Sequence, residues 1–187
     1  MPALLSSENP ADSAVAASPR ARRQLADARF DLANRLFFRL YQCANLLHKT
    51  GTRAVEAEGL TTQQWAVLGA LSRESARGGM AMGELARYLM VTRQNLSGVI
   101  SRMERDGHVA IAQGGQDRRA RLVSMTASGR HVWQDLAQPK IRAYYAQALA
   151  EFSGDDLSHA LHYLLKLVGS MQRLDEGPQP GQNKKPR

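Results

Sequence analysis

The chain of 187 residues has a single cysteine, Cys43, so an intramolecular disulfide framework is excluded and a reducing compartment is expected. It also lacks any uninterrupted apolar run near the ~20 residues needed to span a bilayer. Residues 1–19 are rich in Ala, Ser and Pro, with no basic segment leading into an apolar one, so no signal peptide is expected there. A cytoplasmic protein with no membrane partner is expected. Catalytic equipment is missing as well. There is no glycine-rich phosphate loop, no nucleophile motif and no convincing metal-ligand cluster, so no enzyme activity, cofactor or metal is expected. His159 and His162 share one helical face, but a pair without further ligands reads as surface histidines before it reads as a metal site.

What is abundant is positive charge. The net charge is +8 with a sequence pI near 10.1, and the excess is concentrated. Residues 87–130 hold eight arginines against three acidic side chains, an electrostatic footprint suited to phosphate. A hydrophobic content of 43% allows one sizeable core, or a compact domain plus an oligomerisation element.

Within the basic stretch, residues 91–102 (VTRQNLSGVISR) open with Thr92 as an N-cap and carry Leu96, Val99, Ile100 and Met103 at helical spacing. The opposite face bears Arg93, Gln94, Asn95, Ser97, Ser101 and Arg102. Arg pairs with guanine and Asn or Gln with adenine, so the first three suit base edges, while Thr92, Ser97 and Ser101 suit phosphates. Downstream, residues 108–112 and 121–125 alternate as strands, and Gly114 and Gly115 between them tolerate a tight turn. The result is a β-hairpin with Arg118, Arg119 and Arg121 on or near its tip, able to enter a minor groove. Asp117 either orients one of these guanidiniums or acts as a turn residue.

Asp117, Arg119, Met125, Thr126 and Gly129 follow the pattern Asp-x-Arg, five residues, apolar-Thr, two residues, Gly. With the helix ahead of it, this stretch resembles the MarR family of winged-helix transcriptional regulators over roughly residues 30–174. The resemblance implies a mainly α (α+β) fold: a winged helix-turn-helix with a small β-hairpin wing and a helical dimerisation region. It further implies a homodimer on a pseudo-palindromic double-stranded operator. Many members are repressors released by a small aromatic effector, such as a phenol or an aromatic carboxylate, bound between the dimerisation helices and the winged helix. Met125 stands where Leu is more usual, a volume-conserving change.

The flanking pattern is helical. An apolar stripe containing Leu25, Leu32, Leu36, Leu40, Cys43 and Leu47 predicts a long helix over about 22–57, broken near Gly51. Thr61 and Gln64 form a capping-box pattern for a helix to about Ser75, with Trp65, Val67, Leu68 and Leu71 facing a core. A short helix over 83–90 completes the helix-turn-helix, although Ala81 and Met82 supply no side-chain cap. Thr126 caps a helix running to about Phe152 and bent by Pro139. Ser153 then caps a last helix whose stripe is Leu157, Leu161, Leu164, Leu165, Val168 and Met171. Apolar stripes on three helices exceed what the compact unit can cover, which argues for a second subunit. The expected division is a flexible tail over 1–20, the MarR-type domain over 21–174 and a flexible basic tail over 175–187.

As walls for an effector pocket the sequence offers Arg35, Arg39, Tyr41, Asn45 and His48 on the first helix and Trp65 on the second. Arg39 is the preferred carboxylate anchor, against a simple interface salt bridge, and Trp65 reads more readily as core than as a ligand platform. Other readings on the same fold are an activator, a stress or efflux regulator, and a redox sensor at Cys43. The last is disfavoured, because a cysteine beside an apolar stripe is expected to be a buried, inert thiol. A winged helix that binds protein instead of DNA runs against the clustered arginines.

Overall fold

The computed structural model describes residues 18–113 and 121–177. Ser18 caps helix α1 (Pro19–Val55), its hydroxyl accepting from the Ala21 amide at 3.3 Å. The helix is continuous through Gly51, not broken there. Glycine serves a different purpose at this position: a Cβ would lie 3.1 Å from the Trp65 ring and 3.2 Å from the Thr62 hydroxyl. Its absence lets α2 (Thr62–Leu71) pack against α1. A hydroxyl chain pins the joint. Thr62 Oγ1 donates to the His48 carbonyl (3.1 Å), Thr52 Oγ1 therefore donates to Thr62 Oγ1 (2.9 Å), and Thr52 Oγ1 accepts from the Thr62 amide (3.1 Å). The capping box of α2 is present, with Gln64 N donating to Thr61 Oγ1 and Thr61 N to Gln64 Oε1. This helix ends at Leu71 rather than near Ser75, because Arg73 turns extended before a 3-10 turn over Glu74–Ala76.

Strand β1 (Met80–Ala81) leads into α3 (Met82–Tyr88), which has no side-chain cap. Helix α4 (Arg93–Arg105) follows, then β2 (Val109–Gln113) and β3 (Arg121–Met125). The three strands form one antiparallel sheet in the order β1-β3-β2, with Val109 opposite Met125 and Gln113 opposite Arg121. Sequence reading did not anticipate β1, which is too short to show alternation. Leu60, Leu68, Leu85, Leu96, Ile100, Met103, Val109 and Val123 are fully buried between α2, α3, α4 and the sheet.

Beyond the sheet, α5 (Ala127–His131) passes into a π-helical turn (Val132–Ala137) and then α6 (Gln138–Ala148). Proline has no amide to donate to the preceding turn. The chain accommodates Pro139 by placing it in the first turn of α6, where the Gln138 amide reaches back five residues to the Trp133 carbonyl. The helix stops at Ala148, short of the expected Phe152. Last is α7 (Gly154–Asp175), with both halves of its capping box formed between Ser153 and Asp156.

Two long helices leave their apolar stripes uncovered. Only Gly51 and Val55 of α1 are buried, and no residue of α7 is. Cys43 is accordingly exposed, not buried as expected. Its stripe is apolar, but among the described residues no other part of the same chain covers it.

Candidate nucleic-acid interface

The turn into α4 is tight and partly left-handed. Met90 adopts φ +55°, while its amide donates to the Arg87 carbonyl (3.1 Å) and that of Val91 to Ala86 (3.0 Å). Thr92 then caps α4, accepting from the Asn95 amide at 3.2 Å. Leu96, Val99, Ile100 and Met103 anchor the helix in the core, so the remaining face is fixed outward. Arg93, Gln94, Asn95, Ser97, Ser101 and Arg102 are all exposed on it. One of them folds back: the Arg93 guanidinium packs on α3, within 2.8 Å of where a Cβ of Gly83 would be. Gln94 and Asn95 stand exposed beside it.

Arg121 is exposed at the outer end of the described hairpin, opposite Gln113. Asp117, Arg118, Arg119 and the Gly114-Gly115 turn lie outside the described residues.

Two of the other three residues of the wing pattern, Thr126 and Gly129, form the joint between α4 and α5. Thr126 Oγ1 accepts from the Gly129 amide at 2.9 Å, capping α5, and donates to the carbonyl of Gly107 at 2.6 Å. Gly129 lies directly against the turn that ends α4. A Cβ there would sit 1.9 Å from the His108 carbonyl oxygen, so only glycine fits. Arg130 Nη1 closes the corner on the Met125 carbonyl at 2.8 Å. These contacts couple the orientation of α4 to the helices that follow. Sequence reading identified the Thr126 cap but not its second bond.

A structure of the Mycobacterium tuberculosis transcriptional regulator MosR in complex with DNA is similar to this fold, with a TM-score of 0.60 and 27% identity, covering 73% of this chain and 97% of that one. A MarR family model matches residues 58–120. Over 152 residues the chain is 72% identical to the transcriptional activatory protein BadR of Rhodopseudomonas palustris, covering 81% of this chain and 87% of that protein. This chain belongs to the MarR family of DNA-binding transcriptional regulators. Another relative, the homoprotocatechuate degradative operon repressor of Escherichia coli, is 30% identical over 114 residues, 61% of this chain and 74% of that protein. The family is one of regulators, not of enzymes. Among the described residues no helix is long and apolar enough to cross a membrane, and no group of three or more His, Cys, Asp or Glu is placed to hold a metal.

This MarR-family chain also has a cleft of about 600 Å³ between α1 and α6, lined by Thr50, Arg53, Lys140, Tyr144 and Gln147 among others. Thr50 Oγ1 donates to the Leu46 carbonyl (2.7 Å), so the Tyr144 hydroxyl must be the donor in its 2.9 Å bond to Thr50. Lys140 is ion-paired with Glu58. Behind the cleft Trp65, Tyr144 and Tyr145 pack with ring centroids 5.7 to 6.1 Å apart. Burial pushes the Tyr145 phenol up, the neighbouring Tyr144 adds to this, and a hydrogen bond with Trp65 opposes it.

None of the six pocket residues read from the sequence lines this cleft. Arg35, Arg39, Tyr41, Asn45 and His48 are exposed along α1, with Arg39 bonded to Gln42 at 2.7 Å. Trp65 is buried as a core residue.

Proposed function

We propose that this chain is a cytoplasmic, homodimeric transcriptional activator of an aromatic-acid degradation pathway, reading a pseudo-palindromic operator through α4 and the hairpin. The observation that carries it is 72% identity over 152 residues to a protein named as a transcriptional activator. That degree of likeness favours activation over the repression expected from the family resemblance. The aromatic substrate class has separate support, since a second relative is named for an operon degrading homoprotocatechuate, a dihydroxylated aromatic acid.

In this reading Gln94 and Asn95 contact base edges, and Thr92, Ser97, Ser101, Arg102 and the hairpin arginines contact phosphates and the minor groove. The homodimer covers the apolar stripes of α1 and α7, and its twofold axis sets two α4 helices about 34 Å apart, one turn of DNA. The effector site is the α1/α6 cleft. Arg53 and Lys140 supply positive charge for a carboxylate, and the Tyr144 hydroxyl can bond to a ring hydroxyl. This moves the effector from Arg39 to Arg53. A ligand that favours one spacing of the recognition helices changes DNA affinity by its differential affinity for the two spacings.

The test is a reporter gene behind a promoter fragment that the protein shifts in a gel, with benzoate and hydroxylated benzoates as effectors. Expression should rise when the full chain is present and respond to an aromatic acid, while Arg53→Gln should keep DNA binding and lose the response. Asn95→Ala should lose about 1–3 kcal/mol of discrimination at one base pair per half-site. A fall in expression would make the protein a repressor. An Arg53→Gln variant that stays inducible would remove the effector from this cleft.

A further inference from the structure

A second cleft, of about 310 Å³, lies where the end of α2, β3 and the π turn meet, outside both α4 and the α1/α6 cleft. Three guanidiniums stand at it, those of Arg73, Arg77 and Arg130, and among the described residues no acidic side chain lines it. Each already makes one contact: Arg73 lies 4.7 Å from the centroid of the Tyr88 ring, Arg77 pairs with Glu74 at 3.3 Å, and Arg130 donates to the Met125 carbonyl. A guanidinium carries five N–H donors, so these contacts hold the groups in place and leave donors over.

The rest of the wall is mixed, with Ser72, Ser124 and Gln134 beside the apolar Leu71, Ala76, Met125 and Trp133. Leu71 and Trp133 are buried and Met125 is partly so. Trp133 also contributes an unusual group, because its indole Nε1 is buried with no hydrogen-bond partner among the described residues. A buried N–H left unpaired is unfavourable, and such groups are paired in most native structures. The volume is at the small end of the ~300–1,000 Å³ typical of ligand cavities, which restricts an occupant to a compact molecule. Together the features describe a site with a cationic mouth and a mixed wall, one of whose residues carries a buried indole N–H without a partner among the described residues.

We propose that this cleft binds a compact organic acid, with its carboxylate held by Arg73 and Arg130 and its apolar body against Leu71, Met125 and Trp133. An inorganic anion would satisfy the arginines but gain nothing from the apolar part of the wall. The site joins β3, one strand of the hairpin, to the π turn that leads into α6. Its occupancy is therefore coupled to the same joint that orients α4, and the coupling is reciprocal.

The chain holds two tryptophans, Trp65 and Trp133, so isotope-labelled full-length protein gives two indole N–H signals that standard through-bond NMR can assign. Titration with sodium benzoate should shift the Trp133 signal saturably. Exchanging Arg73→Gln together with Arg130→Gln, both exposed positions, should weaken that saturation at least tenfold, and inorganic phosphate at the same concentrations should leave the Trp133 signal in place. Arg53→Gln with Lys140→Gln, in the other cleft, should not alter the Trp133 titration. No saturable shift, an unchanged affinity in the Arg73/Arg130 variant, or an equal response to phosphate would overturn the proposal. If instead the Trp133 response disappears in the Arg53/Lys140 variant, it originates in the α1/α6 cleft, and this proposal fails while the effector reading stands.

Discussion

Helices α4 and α7 carry the same kind of apolar stripe and meet opposite fates. In α4, Leu96, Val99, Ile100 and Met103 are at most 7% exposed. In α7, Leu161 and Leu165 are 59% and 62% exposed, and no residue of the helix is buried. Burial of an amphipathic face is what usually stabilises a helix in a protein, so α4 completes its folding inside the chain and α7 does not. The N-terminal part of α1 behaves like α7, with Leu25, Phe30 and Leu32 all exposed. The winged-helix unit is thus closed on itself, whereas the outer helices leave apolar faces uncovered, which in the proposed dimer a second copy covers.

The largest expected effect comes from breaking that surface. Leu161→Glu with Leu165→Glu removes apolar burial worth roughly 1.5 kcal/mol or more for each leucine, and a symmetric interface feels every change twice. The dissociation constant of the dimer should rise at least about 10³-fold, read by sedimentation equilibrium, with operator binding lost and the winged-helix core still folded. A variant of unchanged dimer affinity would place the second copy elsewhere.

Next comes the joint between the two regions. Gly129→Ala forces a Cβ into the His108 carbonyl, a clash with backbone that no side-chain rotation relieves. Overpacking of this kind costs about 1–3 kcal/mol, to be measured by denaturant unfolding. DNA affinity should fall further than stability alone accounts for, because the turn that shifts is the end of α4. Stability and DNA binding both unchanged would mean that Thr126 and Gly129 do not set the orientation of α4.

The smallest effect is at the start of α7. Hydrogen bonds from the Ser153 hydroxyl and amide hold the Asp156 carboxyl below its ordinary pKa. A lowered folded-state pKa gives stability that is present above the ordinary value and lost as pH falls through the folded one. The melting temperature of the parent should exceed that of Asp156→Ala at neutral pH, and the difference should disappear in strong acid. The same difference at every pH would exclude the charge as its source.

Much of this architecture was legible because it is local. Thr61, Thr92, Thr126 and Ser153 were recognisable as caps from the residues that follow them, and each is bonded as such. Alternation placed β2 and β3, and the polar face of α4 followed from its apolar one. Where a residue type has two physical uses, the sequence could not choose between them. Glycine at 51 reads as a break but permits the approach of Trp65, and Pro139 reads as a bend but sits at the start of α6 behind a π turn. Cys43 was misjudged because an apolar stripe implies burial without saying in which chain. The α1/α6 cleft joins Arg53 to Tyr144 across most of the fold, and no local pattern announces such a pairing. Of the hairpin arginines assigned from the sequence, Arg121 is the one within the described residues.

The central claim is that the outer helices of two chains join to set two α4 helices on one duplex. Sedimentation of the full chain, alone and with a promoter duplex it binds, tests this most directly. The account predicts a species of two 20.6 kDa chains in the absence of DNA and two chains per duplex in its presence. A single 20.6 kDa chain that binds the duplex with full affinity would contradict it.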